Sequence, residues 1–118
     1  MEQSTAVFEN ERGKITYRTN VTAGDEFSHT FVRMEAIRNA DGLVSAERLA
    51  KWALQRFCLE LAYKDGEEWK TLSPFVWEAV EALPRAIAGG GWLVEAAMTI
   101  YREVWMKSDA EVDGLKKA

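Results

Sequence analysis

The chain has 118 residues, of which 47% are apolar and 29% are charged, and its formal net charge is −4. This length predicts one domain spanning residues 1–118, with a core large enough to fold without disulfides or metals. Lysine and arginine do not cluster anywhere along the sequence, so we expect no nucleic-acid partner.

The N-terminus and the cysteine content predict a cytoplasmic protein. Residues 1–11 are polar and acidic, which is not the pattern of a signal peptide. No apolar run approaches the roughly 18 residues of a membrane span, so we expect no membrane partner. The single cysteine, Cys58, cannot form a disulfide within one chain, which fits a reducing compartment.

The N-terminal segment predicts a β-hairpin. Residues 14–22 alternate between apolar or β-branched and polar side chains, as in a half-buried strand. A short apolar run at residues 6–8 precedes them, and residues 10–13 would form the connecting turn. Residues 1–4 are expected to be frayed. A lone hairpin is marginally stable, so it must dock on the helices or pair with another chain.

Residues 25–38 fit two patterns. Phe27, Phe31 and Met34 recur at helical spacing, and we favour a helix here. Residues 27–33 also alternate, so a strand over that stretch stays open.

The clearest amphipathic helix spans residues 45–63, and we expect the fold to be organised around it. Its apolar side chains recur at spacings of three and four. Ser45 can cap its N-terminus, and Gly66 can end it in a left-handed conformation. Trp52 and Leu59 widen the apolar face, which predicts packing neighbours on more than one side.

The second half predicts two more helices. Residues 65–72 are expected to form a loop. Ser73 and Pro74 then begin a helix, because proline is well tolerated at the first helical position. Pro84 should end or kink this helix.

The last predicted helix spans residues 92–106, after a break at the glycines 89–91. It is apolar over more than half its circumference, so it should be central or lie in an interface. Residues 107–118 are expected to be a charged, frayed tail.

Few side chains suggest catalysis. His29 is the only histidine, so a site with several histidine ligands is excluded. Cys58 falls on the apolar stripe, where a thiol behaves as a small hydrophobe. A Cys58–His29 enzyme remains a third possibility, removed if the thiol reacts only on unfolding. The glycines 89–91 lack the lysine that follows a phosphate-binding loop. We therefore predict no enzyme, no metal and no cofactor.

Tryptophan is the most unusual feature of the composition, with five in the chain. Aromatic side chains supply core area and also dominate interface hot spots, so both roles stay open. We predict that the aromatic residues beside the loops contact a protein partner, namely Trp69, Phe75, Trp77 and Trp92.

Three stretches resemble the small tail assembly chaperones of long-tailed bacteriophages and prophages. They are KITYRTNVT, then SAERLAKWALQRFCLELAY with DGEEW, then TLSPFVWEAVEAL before a last apolar helix. The resemblance covers roughly residues 14–105. It implies a non-enzymatic protein that coats the long helical tape-measure protein and recruits tail-tube subunits in the host cytoplasm.

The sequence thus predicts an α+β fold, mostly helical, with an N-terminal β-hairpin packed on a three- to four-helix bundle. The expected function is a protein-binding module of the tail assembly chaperone type. The alternative is a homo-oligomeric adaptor or regulatory protein of a bacterium, which would self-associate through the hairpin edge and the last helix.

Overall fold

The computed structural model describes residues 4–38, 46–72 and 75–117, and over these ranges the chain has an α+β fold. The elements in chain order are β1 (Thr5–Glu9), β2 (Gly13–Arg18), α1 (Ala23–Arg38), α2 (Ala46–Phe57), β3 (Cys58–Asp65), β4 (Glu68–Leu72), α3 (Trp77–Glu81), α4 (Arg85–Ala88), α5 (Trp92–Ile100), a π-helical segment (Tyr101–Met106) and α6 (Lys107–Lys117).

The four strands form one antiparallel sheet in the order β1-β2-β3-β4. The predicted hairpin is present, and its turn is stabilised by Asn10 Oδ1, which accepts from the amides of Arg12 and Gly13 at 2.9 and 3.1 Å. The strand ends at Arg18 rather than at residue 22. The hairpin is therefore half of a four-stranded sheet, where we expected a lone hairpin packed on a three- to four-helix bundle.

The predicted helix over residues 45–63 is wrong in its last third. Helix α2 ends at Phe57, and Cys58 begins β3. Leu61 pairs with Ile15 of β2 on one side and with Leu72 of β4 on the other. The predicted loop 65–72 is accordingly a tight turn followed by β4, and Gly66, at a φ of 69°, serves this turn and not a helix end.

The remaining helices partly follow the sequence. The favoured helix over residues 25–38 is confirmed as α1. The predicted start at residues 73–74 lies outside the described residues, as does the predicted cap at Ser45. Helix α3 ends at Glu81, and Pro84 stands immediately before α4, so the chain does break there.

The last helix is longer than predicted. It begins after Gly90 and Gly91, whose φ angles of 81° and 74° need glycine, so the predicted break is confirmed. It then continues through the π-helical segment into α6, so residues 107–117 are helical and not a frayed tail.

One core lies between the sheet and the helices. Helices α2 and α5 pack against each other, and they contact β3 and β2 respectively. Ile15 and Leu61 project from the sheet into this layer, and Phe57 and Ile100 meet them from the helices, all four with 0% exposure. Burying such side chains stabilises the fold by roughly 1.5–3 kcal/mol each.

Candidate functional site

A groove opens on the helical layer between α2, α3 and α5, with a volume of about 220 Å³. Its lining is apolar apart from one lysine. The lining residues are Ala50, Lys51, Leu54, Trp77, Val80, Leu93, Val94 and Ala97. The two alanines, one on α2 and one on α5, are buried, and their small side chains leave the space that larger residues would fill.

Polar contacts hold the aromatic wall of this groove. The indole Nε1–H of Trp77 donates to the carboxylate of Glu81, one turn along α3. The ammonium group of Lys51 lies 5.4 Å from the Trp77 ring centroid and 3.6 Å from Glu81 Oε1. Trp77 is therefore oriented with its indole N–H toward Glu81, beside an apolar groove, as aromatic residues in binding surfaces commonly are.

The exposed side of α5 extends the apolar surface beyond the groove. Val94 is 55% exposed and Met98 is 49% exposed. Residues four apart share one face of a helix, so these two side chains form a row along α5. Val94 also lines the groove, which joins the two features into one surface.

A second apolar surface lies on α1, because this helix turns its apolar side to solvent and its polar side to the core. Its outward residues Phe27, Phe31 and Met34 are 67%, 63% and 50% exposed. Its inward residues Asp25 and His29 are buried. The helical spacing of the three apolar residues is visible in the sequence, but the spacing does not show which side of the helix faces the core.

Asp25 joins α1 to the rest of the fold. Its carboxylate is fully buried and accepts hydrogen bonds from both terminal nitrogens of Arg18 at 2.8 and 2.6 Å, and from Arg56 Nε at 2.6 Å. The amide and the hydroxyl of Thr22 complete the set at 2.8 and 3.1 Å. Burial alone would raise the pKa of Asp25, but the hydrogen bonds from Arg18, Arg56 and Thr22 outweigh it and hold the pKa well below its usual range.

His29 sits in a cluster of aromatic rings. It stacks on Trp105 with ring centroids 4.2 Å apart, and its Nε2 lies 3.1 Å from the Tyr101 hydroxyl, with which it forms a hydrogen bond. Trp52 meets it edge-on at 5.1 Å. Burial lowers the pKa of His29, and the charge of Arg33 lowers it further. Two ring partners come from the π-helical segment, a rare conformation that is frequent at functional sites.

The surroundings of Cys58 disfavour ionisation of its thiol. Cys58 is buried, donates a hydrogen bond to the Glu60 carbonyl at 3.5 Å, and has its pKa raised to about 12, chiefly by burial. Its thiol is therefore protonated at neutral pH. Within ranges 4–38, 46–72 and 75–117, no three side chains of His, Cys, Asp or Glu come together as a metal site.

The four aromatic residues predicted as partner contacts lie in different surroundings. Trp69 is 47% exposed on β4, with the Lys64 ammonium 5.4 Å from its ring centroid. Phe75 is half-buried against the core, and Trp77 lines the groove. Trp92 is only 2% exposed, so a partner could not touch it without opening the core.

The structure also identifies surface residues that the sequence analysis did not select, namely Val94 and Met98. These two residues are four apart in the last predicted helix, but that spacing alone does not show that they face outward. Only the docking of α5 against α2 and the sheet determines that.

Comparisons of the chain with protein-family models, with curated proteins and with solved structures gave no match. In the part of the chain that the structure describes, no helix combines the length and the apolarity needed to cross a lipid bilayer.

Proposed function

We propose that this chain is a non-catalytic protein-binding module whose groove between α2, α3 and α5 binds apolar side chains of a helical partner. The observation that carries the proposal is the apolar lining of the groove, open at the surface beside the exposed Val94. Binding sites combine such a lining with a few placed polar groups, and Lys51 and Glu81 at the Trp77 wall fit that description.

The shape of the surface supports a helix as the bound element. The groove volume of about 220 Å³ exceeds the roughly 150 Å³ of a cavity that holds a benzene ring, so one large apolar side chain fits. The row formed by Val94 and Met98 runs along α5 beside it. An amphipathic helix that is laid along a groove presents apolar residues at spacings of three and four, which matches a groove next to such a row.

The more specific form of the proposal is a tail assembly chaperone. In this form the bound helix belongs to a tape-measure protein, and the complex recruits tail-tube subunits in the cytoplasm of the host cell. The family resemblance of the sequence supports this reading, and a groove suited to a helix is compatible with it.

Capture of partners from the native source tests the proposal, using the tagged chain and its Val94→Glu variant. A charge at the groove must lose its water when the partner binds, so the variant should retain at least about tenfold less partner. Met106→Glu is the matched control, since Met106 is 54% exposed and Val94 is 55% exposed. Partner capture that survives Val94→Glu would contradict the groove as the binding site.

The identity of the captured protein tests the specific form. A long, helix-rich protein recovered together with a tube-forming protein would support the chaperone. A partner of any other kind, lost in Val94→Glu and kept in Met106→Glu, would support the binding module and contradict the chaperone.

A further inference from the structure

Helix α1 exposes the side that a surface helix ordinarily buries. Phe27, Phe31 and Met34 follow each other at spacings of four and three, so they form one continuous apolar stripe, and each is at least half exposed. We call these three residues the α1 stripe. A soluble helix normally turns such a stripe to the core and its polar side to solvent, so this stripe is a surface that lacks its cover within the described chain.

The inward side of α1 is held by polar contacts. Asp25 is bound by Arg18 and Arg56, and Ser28 accepts a hydrogen bond from Trp52 Nε1 at 2.8 Å. His29 is held by the aromatic cluster. These contacts fix the helix from below, and the exposed part of the α1 stripe remains available to another molecule.

We propose that the α1 stripe binds the α1 stripe of a second copy of this chain, with the two helices antiparallel about a two-fold axis near Phe31. In such a pairing Phe27 of each chain lies near Met34 of the other, and the two Phe31 side chains meet at the axis. With Phe31 near its middle, the stripe sets an apolar side chain against an apolar side chain along this pairing, and a two-fold interface requires such self-complementarity.

The charges beside the stripe favour the antiparallel direction. Glu26 and Arg33 are seven residues apart, so they lie on the same flank of α1, and both are exposed. An antiparallel two-fold pairing sets each flank against its own reverse, which brings Glu26 of each chain toward Arg33 of the second copy. A parallel two-fold pairing would set this flank against the other flank of the second copy, so Glu26 and Arg33 would not meet across the interface. Opposite charges across an interface fix its direction and register.

The charge on the other flank is compatible with this direction. Glu35 lies there, near the C-terminal end of α1. With the axis near Phe31, the Glu35 carboxylates of the two copies are separated by about 12 Å along the helices, which is beyond the Debye length at physiological salt. Their repulsion is therefore largely screened.

The area of the stripe sets the strength of the contact. Two phenylalanines and a methionine at these exposures offer roughly 350 Å² of apolar surface per chain. That is less than half of the roughly 800 Å² per partner that a standard stable interface buries. The dimer is accordingly a weak one.

Sedimentation equilibrium over a range of protein concentrations tests the proposal. The unmodified chain should pass from monomer to dimer, and Phe31→Glu should raise the dissociation constant by about tenfold or more, because two like charges meet at the axis. Circular dichroism should be unchanged, since Phe31 is 63% exposed. Leu115→Glu, at a residue that is 77% exposed on α6, is the matched control and should dimerise as the unmodified chain does.

Charge reversal tests the direction independently of the apolar contacts. Glu26→Arg and Arg33→Glu should each weaken the dimer several-fold, and the double variant should restore it, because each pair is then reversed but still opposite in sign. A parallel pairing would instead be insensitive to the reversal, since residues 26 and 33 would not face each other across the interface in any variant.

Disulfide trapping tests the geometry directly. A mixture of Phe27→Cys and Met34→Cys chains should form the mixed 27–34 disulfide on mild oxidation in preference to either homodimer. The parent chain is the control, because its Cys58 is buried and protonated.

Three results would each overturn the proposal. They are a chain that stays monomeric at about 1 mM, a dimer that survives Phe31→Glu, and a dimer lost in Leu115→Glu. A monomer whose α1 stripe becomes protected only when a different protein is added would assign the stripe to that protein instead. The groove proposal is independent, since Val94→Glu should leave self-association unchanged.

Discussion

At the scale of single residues, Asp25 is the ionised group on which the position of α1 depends. Its carboxylate has 0% exposure, whereas Arg18 is 14% and Arg56 is 39% exposed. A buried charge is tolerated only when it is paired and hydrogen-bonded, and here every acceptor site is used.

Asp25→Asn should lower the free energy of unfolding by about 3 kcal/mol, because it leaves the Arg18 guanidinium without its counter-charge. Urea titration measures this. Asp65→Asn is the control, since the Asp65–Lys70 pair lies at the surface and should contribute less than about 1 kcal/mol. Equal effects of the two substitutions would contradict the role assigned to burial.

The pH dependence of stability at low pH follows from the same group. The pKa of Asp25 is lower in the folded chain than in the unfolded chain, so its contribution is fully present above the unfolded value of about 3.9. It is lost progressively as the pH falls below that value, and Asp25→Asn should remove this part of the acid destabilisation.

His29 predicts a second, separate pH dependence near neutrality. Burial and Arg33 lower its pKa, while Glu26 and Asp109 act in the opposite direction. Because the folded pKa lies below the unfolded value of about 6.5, stability should be complete above that pH and should fall as the pH drops below it.

Urea titrations between about pH 5 and pH 8 measure this dependence, and His29→Gln should flatten it. The chain has one histidine, so its imidazole resonances report the folded pKa directly. A folded pKa above that of the unfolded chain would contradict the assignment.

At the scale of elements, the contact between β2 and α5 determines how the sheet meets the helices. The ring of Trp92, at the start of α5, lies against Gly13 so closely that a side chain there would overlap it. The indole Nε1–H donates to the Ile87 carbonyl at 2.9 Å, which ties α4 to the same contact.

Trp92→Ala should therefore lower the free energy of unfolding by about 3–5 kcal/mol, the range for removing a large buried aromatic side chain. Thermal or urea denaturation measures it. Trp69→Ala is the matched control, because Trp69 is 47% exposed, and it should cost less than about 1 kcal/mol. If Trp92→Ala folded normally and lost a partner, the original prediction of a contact residue would hold instead.

The boundary between α2 and β3 shows why the sequence pattern predicted a helix where the chain forms a strand. Leu59, Leu61 and Tyr63 alternate with polar or small residues, which is the period of a strand, but Leu61 also continues the helical spacing from Phe57. Both periods fit a short stretch. The pairing of Leu61 with Ile15 decides between them, and that pairing joins residues far apart in the chain.

At the scale of the whole molecule, the chain is a thin slab. Its extents are 51 × 39 × 22 Å and its radius of gyration is 15.4 Å, compared with about 13.5 Å for a compact domain of this length. A thickness of 22 Å holds one sheet and one layer of helices. Such a shape leaves apolar residues at the surface, and the row of Val94 and Met98 and the α1 stripe are two of the places where they lie side by side.

The sequence by itself determined the features that depend on local chemistry. Alternation in the first strands, the turn before Gly13, the helical spacing around Phe31 and the break at Gly90 and Gly91 are each encoded by residues close in the chain. Backbone preference and periodicity act over a few residues, so they can be seen without the fold.

Only the tertiary structure decided which side of an element is covered. The α1 stripe and the row at Val94 have the same spacing as a buried face, and Trp92 and Trp69 look alike in sequence. The difference arises from contacts between distant segments, such as Asp25 with Arg56 and Trp92 with Gly13. Burial depends on what lies opposite a side chain, and the sequence pattern of one segment carries no record of that.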